Sequence, residues 1–340
     1  MKDDFTAEDR TAGDSTAGDS TADGTAAGDS AAGDSAARDS AAAARHAAAQ
    51  RDPTHFEPRL VRRARVGSVF HALCFIATTI GIVVLAALLF DIVKTGGGRL
   101  TWEFLNGFPS RMASRAGLKP ALVGTVWTLV LTAVISFPLG VGTAIWLEEY
   151  APASRLKTII ETNIANLAGV PSIVYGMLGL AVFVRWLSMG RSIIAGALTL
   201  ALLILPVIII ASQEALKAVP SSIRLGAYAL GSTRWEAIRF HVFPLALPGI
   251  LTGTILALSR AIGEAAPLIV VGALAFVPFV PMSPTDPFTV VPIQIYNWVQ
   301  RPQASFHEIA AAASIVLLVL LLSMNAAAIL LRNRYSRRNQ

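Results

Sequence analysis

The chain has 340 residues, of which 54% are hydrophobic and only 15% are charged, and its mean hydropathy is +0.58. Soluble domains carry about 25% charged residues, so this composition indicates an integral membrane protein. The single cysteine excludes an internal disulfide, a CxxC redox pair and a cysteine-based zinc site. The first 50 residues hold ten acidic and four basic residues, which leaves 24 basic and 12 acidic residues in the other 290. A basic excess on a hydrophobic chain is typical of membrane anchoring, so we expect membrane lipid as a partner and no nucleic acid.

Residues 1–58 differ in composition from the rest of the chain. A five-residue unit recurs between residues 11 and 40, as TAGDS, AAGDS and AARDS. Ala, Gly, Asp and Ser in this rhythm bury too little apolar surface to offset the entropy of the chain. The sequence predicts a disordered, low-complexity cytoplasmic tail over 1–58, followed by a transmembrane domain over 59–338 with its core at 120–331.

Six apolar segments approach or exceed the ~20 residues that cross a bilayer as a helix. They lie at 69–92, 121–147, 159–183, 192–211, 245–271 and 309–331. Pro138, Pro171 and Pro206 fall inside the second, third and fourth segments, where neighbouring helices or water can satisfy the freed carbonyls. The predicted fold is an all-α integral membrane protein with six transmembrane helices, packed and kinked around a pathway.

Lysines and arginines near the span ends predict the orientation. With the N-terminus inside, 14 basic residues fall on the inner side and eight on the outer side. The first outer loop is unusually basic, but both termini inside remains the better fit. We therefore expect a multi-pass protein of the plasma (cell inner) membrane with cytoplasmic N- and C-termini.

The longest inner loop, 213–244, has the features of a docking element. Pro220 and the two serines after it predict a helix start, Gly231 predicts a break, and Thr233 could cap a second helix through Phe240. Aromatic residues and arginines, which are favoured at interface centres, alternate along both helices. These are Tyr228, Trp235 and Phe240 among Arg224, Arg234 and Arg239. An amphipathic helix resting on lipid headgroups is the alternative.

This segment resembles the cytoplasmic EAA loop of ABC importer permeases, in which EAA is followed by three residues, a glycine, nine residues and I-x-L-P. Leu225 replaces the glutamate, Gly226 the first alanine and His241 the isoleucine, whereas the glycine, the proline and the spacing are kept. The resemblance implies a loop that couples the chain to an ATPase subunit without the family's acidic contact. The residues assigned to this coupling are Leu225, Gly226, Ala227, Tyr228, Gly231, Arg234, Trp235 and Pro244.

Four longer stretches resemble the PstA-type permeases of the phosphate-specific ABC transporters. They lie at 120–152, 163–184, 258–273 and 291–303, and the SRAIGE and NIANLAGVPSIVYG runs are the most specific. The resemblance implies the type I ABC importer permease fold with a cytoplasmic coupling helix, and import of inorganic phosphate. It also implies a second homologous permease, two ATPase subunits that carry ATP-Mg, and an extracytoplasmic phosphate-binding protein. No cofactor is expected on this chain itself.

Arg260 and Glu264 lie in the middle of the fifth predicted span, four residues apart and hence on one helical face. A charge at the bilayer centre costs ~2.5–3.5 kcal/mol on insertion scales, so such residues face a cavity or one another. The planar guanidinium matches phosphate oxygens in pairs, and Glu264 could orient it or accept a hydrogen bond from a protonated phosphate. A mutual ion pair and a role in the anion pathway both stay open, and the family resemblance supports the second.

Four polar residues in or beside the third span are weaker candidates for the substrate pathway. They are Asn163, Asn166, Ser172 and Tyr175. Hydrogen bonding between helices explains them equally well. Arg185 and Arg191 could attract anions to the outer mouth, although interfacial anchoring accounts for them too.

The sequence shows no catalytic constellation. It lacks a GxxxxGK[ST] phosphate loop and an HExxH motif, and its five histidines are scattered without metal spacing. We therefore expect a transporter subunit and not an enzyme, with no catalytic or metal-binding residues and with ATP hydrolysed on a separate subunit. A permease for another oxyanion, a stand-alone secondary transporter and a membrane-embedded enzyme are the alternatives.

Overall fold

The structure is a computed structural model that describes residue 40, residues 60–273 and residues 276–338. The chain divides into two compact units, Met1–Ile76 and Ala77–Gln340. In the first unit the described chain is mainly the beginning of helix α1, Leu60–Gly96, whose side chains are exposed over 67–76. The predicted disordered tail, 1–58, lies outside the described residues, Ser40 apart.

The second unit is helical, and the part of it that the structure describes contains no strand. One isolated antiparallel bridge joins Ser192 to Pro287. After α1 the helices are α2 (Trp102–Asn106), α3 (Lys119–Ile145), α4 (Arg155–Ala168), α5 (Ser172–Gly179), α6 (Ile193–Lys217), α7 (Ser221–Ala229), α8 (Arg234–Ala237), α9 (Phe243–Ile262), α10 (Ala266–Val271), α11 (Val291–Val299) and α12 (Ala304–Arg338). Wider π turns extend α3, α5 and α8 over Trp146–Tyr150, Leu180–Trp186 and Ile238–Val242.

Five helical stretches among the described residues are long and apolar enough to cross a membrane. They are Gly67–Arg99, Lys119–Tyr150, Ile193–Lys217, Arg234–Ile262 and Ala304–Arg334. The pair α4 and α5 would make a sixth span, although it is bent by 102°. Each predicted segment overlaps one of these six, which confirms the all-α transmembrane fold class.

The third span is not the continuous helix that was predicted over 159–183. It breaks between α4 and α5 at Gly169–Pro171, because Pro171 lacks an N–H and disfavours the helical conformation of Val170. The hydroxyl of Tyr175 donates a hydrogen bond to the carbonyl of Leu167 at 2.7 Å, which ties the two sides of the bend together. Pro138 and Pro206, in contrast, lie inside unbroken helices.

The fifth span also departs from its predicted range, 245–271. Helix α9 ends at Ile262, and the chain leaves the helical path before α10 starts with Pro267 in its first turn. On the other side, the span begins earlier than predicted, because α8 continues through the π turn into α9 as one apolar stretch, Arg234–Ile262. The break places Glu264 outside any helix.

Small residues let the central helices approach closely. A Cβ atom added at Gly249 or Gly253 of α9 would come within 2.8 or 2.3 Å of the side chains of Ala215 and Ala211 on α6. This is the small-residue spacing that membrane helices use to pack backbone against backbone. Helices α3 and α6 also pack together, and the hydroxyl of Thr132 reaches the carbonyl of Ala197 at 3.2 Å. Helices α3, α6 and α9 therefore form the packed centre of the second unit.

We expect Gly124→Ala to lower the stability of the protein by about 1–3 kcal/mol, because added atoms in a packed interior force the backbone to shift. A Cβ atom at Gly124 would lie 2.1 Å from the carbonyl oxygen of Thr289. Gly142→Ala on the same helix is the control, since no atom lies within 4 Å of its added Cβ. Thermal midpoints of the purified proteins in detergent measure the effect, and equal midpoints for the two variants would contradict this packing.

Candidate substrate pathway and coupling surface

Two turns position the segment between α6 and α9. Helix α7 begins at Ser221 directly after Pro220, as predicted, although no side-chain hydrogen bond caps it. Gly231 then adopts a φ of +84°, a left-handed conformation that glycine takes without strain. Thr233 caps α8 as predicted, in a reciprocal capping box in which the Thr233 amide donates to the carboxylate of Glu236 at 2.8 Å. The positions of both turns were therefore predicted correctly from Pro220, Gly231 and Thr233.

The second helix predicted in this loop, from Thr233 through Phe240, does not form a separate helix. Helix α8 is the beginning of the fifth span, because Ala237, Ile238 and Val242 are buried and hold the connecting turn in the core. Only α7 is an independent helix in this segment. Its one buried residue, Ala227, lies on the side that packs against the protein.

The outward side of α7 and α8 is apolar. Leu225, Tyr228 and Trp235 are 66%, 41% and 54% exposed, and Leu230 at the end of α7 is 88% exposed. We call these four residues the α7 patch. Of the other predicted coupling residues, Ala227 is buried and Pro244 is half-buried, and the exposed ones are Gly226, Gly231 and Arg234. The guanidinium of Arg234 lies over the ring of Tyr150, 5.2 Å from its centroid.

Arg260 lies in the last turn of α9, and Glu264 follows in the break before α10. The two do not share a helical face as predicted, but their side chains still meet, with 3.6 Å between Nε of Arg260 and Oε1 of Glu264. This distance is too long for a hydrogen bond. The side chain of Arg260 is 53% exposed and that of Glu264 is 22% exposed. In the described part of the chain Arg260 donates no hydrogen bond, so its planar donor fork is available to a ligand.

The polar candidates of the third span lie on both sides of the bend. Asn163 and Asn166 are exposed on α4, and the side chain of Asn163 donates to the carbonyl of Ile159 at 2.8 Å. Ser172 is half-buried at the start of α5, and Tyr175 is buried. The hydroxyl of Tyr175 donates the hydrogen bond that spans the bend, so this residue has a structural role.

One apolar cluster connects this bend with the end of α9. It contains Ile164 and Tyr175 from the two arms of the bend, together with Ala257 and Ala261 from α9. Ala261 is the neighbour of Arg260. Helix α10, which follows the break, packs on α5, where a Cβ atom at Gly176 would lie 2.7 Å from Cα of Pro267. The structure therefore brings the broken third span and the broken fifth span into one region.

Several polar contacts of this region could not be found from the sequence. The hydroxyl of Ser259, beside Arg260, donates to Asn325 of α12. About two turns further from the break on each helix, Arg332 of α12 donates to the hydroxyl of Thr252 at 3.0 Å. The one signal in the sequence was an amide residue, Asn325, within the sixth apolar segment.

The chain matches the family described as binding-protein-dependent transport system inner membrane component over residues 136–337. It belongs to this family, and it is therefore a membrane-embedded permease subunit of an ABC importer. In homologous systems the ATPase is a separate subunit, so the prediction of a transporter subunit rather than an enzyme is confirmed.

Relatives of similar sequence indicate which type of permease this chain resembles. The chain is 34% identical over 224 residues to the "Phosphate transport system permease protein PstA 1" of Mycobacterium tuberculosis, covering 64% of this chain and 73% of the relative. It is 31% identical over 260 residues to PstA of Pasteurella multocida, covering 76% and 90%. It is also 35% identical over 212 residues to the "Probable ABC transporter permease protein YqgI" of Bacillus subtilis, covering 61% and 72%. These matches confirm the predicted resemblance to PstA-type permeases.

Solved structures support the fold. A chain of a bacterial alginate ABC transporter superposes with a TM-score of 0.58 at 16% identity, over 82% of this chain and 98% of that one. A methionine ABC transporter superposes with a TM-score of 0.50 at 18% identity, over 64% and 94%. At these identities the likeness shows the ABC importer permease fold alone.

Proposed function

We propose that this chain is one of two membrane-spanning subunits of an ATP-driven importer that moves inorganic phosphate into the cytoplasm. The observation that carries this proposal is the guanidinium of Arg260, which is exposed at the end of an apolar helix and makes no hydrogen bond within the described residues. The names of the relatives in Mycobacterium and Pasteurella support phosphate as the anion. A permease for a similar oxyanion is the second candidate, because the same donor fork suits any tetrahedral anion.

Arg260 needs a polar or aqueous environment, and within the described part of the chain its charged partner is Glu264. An arginine that faces lipid is costly, and one paired with Glu264 at 3.6 Å is only partly compensated. We infer that a second, homologous permease covers this surface and encloses a path between the two subunits. Asn163, Asn166 and Ser172 lie on the neighbouring broken span and complete the proposed path, and Tyr175 belongs to it through the bend that it holds.

The chemistry of the path follows from its groups. Phosphate loses hydration as it enters an apolar protein, and the fork of Arg260 replaces some of these hydrogen bonds in a bidentate manner. Glu264 orients the guanidinium and can accept a hydrogen bond from a protonated phosphate oxygen. Because both lie at a break in the fifth span, a shift of α9 relative to α10 changes the distance between them. The path thus has a ligand site that a conformational change can open and close.

The α7 patch is the proposed contact with the ATPase. It combines exposed leucines with Tyr228 and Trp235, a composition typical of interface centres. Two ATPase subunits that bind ATP-Mg, one for each permease, would dock on this patch and its counterpart. In this arrangement α7 is cytoplasmic, both termini are inside, and residues 59–338 form the permease domain, with its coupling loop at 213–244. An extracytoplasmic phosphate-binding protein delivers the anion from the opposite side.

The substrate can be tested with the complete transporter in proteoliposomes that contain ATP. We expect uptake of labelled phosphate that requires the binding protein and that excess sulfate does not reduce. Arsenate, which has the same shape and charge as phosphate, is expected to compete. ATP-driven uptake of sulfate instead of phosphate would keep the class of transporter and overturn the substrate.

A further inference from the structure

One side chain ties α7 to two membrane-spanning helices. Nη2 and Nε of Arg224 donate to the carboxylate of Glu149 at 2.7 and 3.0 Å. Nη1 donates to the carbonyl of Val219 at 2.8 Å, and Nη2 also donates to the carbonyl of Leu216 at 2.9 Å. Glu149 lies in the turn that ends α3, and Leu216 lies in the last turn of α6. We call this set of contacts the α7 clamp.

The α7 clamp is shielded from solvent and geometrically specific. The side chain of Arg224 is 20% exposed and that of Glu149 is 6% exposed. A guanidinium that meets a carboxylate with two nitrogens has a fixed orientation, which a lysine cannot reproduce. The carbonyls at the end of α6 carry the partial negative charge of a helix C-terminus and strengthen the contact. Arg224 is therefore held in one position relative to α3 and α6.

Short turns connect α7 to its neighbours in the chain. Before α7 the connection to α6 is a short non-helical segment ending at Pro220, and after it comes the turn at Gly231. Helices α3 and α6, in contrast, pack tightly, and a Cβ atom at Gly140 of α3 would lie 2.6 Å from a methyl group of Ile208. The α7 clamp thus joins α7 directly to a closely packed pair of helices.

We propose that Arg224 is the positioning residue that converts movement of α7 into movement of α3 and α6, so that breaking the α7 clamp uncouples ATP hydrolysis from transport. The proposal rests on the proposed function, because it requires an ATPase that acts on the α7 patch. Leu225, the next residue, belongs to that patch, so the contact with the ATPase and the α7 clamp lie on adjacent residues with opposite burial.

The test uses the complete transporter in proteoliposomes and measures phosphate transported per ATP hydrolysed. We expect Arg224→Gln and Glu149→Gln each to lower this ratio about tenfold, within the range typical of coupling between sites. The rate of ATP hydrolysis is expected to stay near the wild-type value, because the α7 patch is intact. Arg224→Lys is expected to resemble Arg224→Gln, since an ammonium lacks the planar fork. Lys217→Gln is the matched control. Lys217 forms an ion pair with Glu214 at 3.1 Å near the end of α6, but both residues lie on the same helix, so this pair does not connect α7 to another helix.

Each outcome decides the proposal. An unchanged ratio in Arg224→Gln, or an equal loss in Lys217→Gln, overturns it. If both clamp variants lose uptake, ATP hydrolysis and the ATPase subunits in proportion, the α7 clamp serves assembly alone and the proposal is also overturned. A wild-type transporter that shows no ATP-dependent phosphate uptake would instead overturn the proposed function, and the coupling role would fall with it.

Discussion

Arg260→Ala is expected to reduce ATP-dependent phosphate uptake by about 100-fold while the transporter still assembles. Loss of a charge-assisted contact in a desolvated site is worth ~2–5 kcal/mol. A 100-fold change corresponds to ~2.7 kcal/mol, which lies within this range. This chain should still fold, because the side chain of Arg260 is 53% exposed and donates no hydrogen bond among the described residues. Assembly should also survive, because in the proposed arrangement this side chain faces the path and not the second permease. Arg260→Lys is expected to retain part of the activity, since it keeps the charge and loses the fork.

The control for this variant is Arg332→Ala. Arg332 of α12 also contacts α9, by a hydrogen bond to the hydroxyl of Thr252 at 3.0 Å. This contact lies about two turns before Arg260 on α9. We expect it to keep most of the uptake. Equal loss in the two variants, or normal uptake by a correctly assembled Arg260→Ala transporter, would contradict the role of Arg260 in the path. Co-purification of the second permease and the ATPase subunits measures assembly in each case.

Leu225→Arg is expected to detach the ATPase subunits. The position is 66% exposed in the middle of the α7 patch, and an unpaired charge buried there on docking costs ~2–5 kcal/mol of binding free energy. Affinity for the ATPase would fall by about 30-fold or more. Binding of the purified ATPase to the two permeases in detergent measures this, and uptake is expected to fall in parallel.

Two matched variants serve as controls for Leu225→Arg. Leu225→Met keeps an apolar side chain of similar volume at this position, so we expect it to keep the ATPase bound. Met282→Arg makes the same apolar-to-basic change at a residue that is 83% exposed in the segment between α10 and α11. It should leave ATPase binding unchanged. Full binding by Leu225→Arg would show that the α7 patch is not the docking site.

The sequence predicted those features that depend on local chemistry. Runs of apolar residues identified the six spans, and the turn at Gly231 and the cap at Thr233 followed from backbone freedom and hydroxyl capping. Leu225, Tyr228 and Trp235 of the α7 patch were named as candidates from the sequence, because aromatic residues lie close together there and Leu225 falls in the EAA-like segment. Leu230 was not named. Arg260 and Glu264 stood out because charges are rare inside apolar segments.

Features that depend on distant parts of the chain could not be predicted. The α7 clamp joins residues 75 positions apart, and neither Arg224 nor Glu149 is unusual at the end of a span. The contact of Ser259 with Asn325 likewise depends on how α9 and α12 pack. The breaks in the third and fifth spans were missed for another reason. Pro138 and Pro206 lie in continuous helices while Pro171 does not, so the effect of a proline depends on the helices that surround it.

The measurement that tests the central claim most directly compares labelled-phosphate uptake by the complete transporter and by this chain alone, each with and without ATP. We expect uptake only by the complete transporter and only with ATP, because in the proposed arrangement this chain lines the path and presents the α7 patch while a separate subunit hydrolyses ATP. ATP-independent uptake by this chain alone would contradict the assignment of the chain as one subunit of an ATP-driven importer.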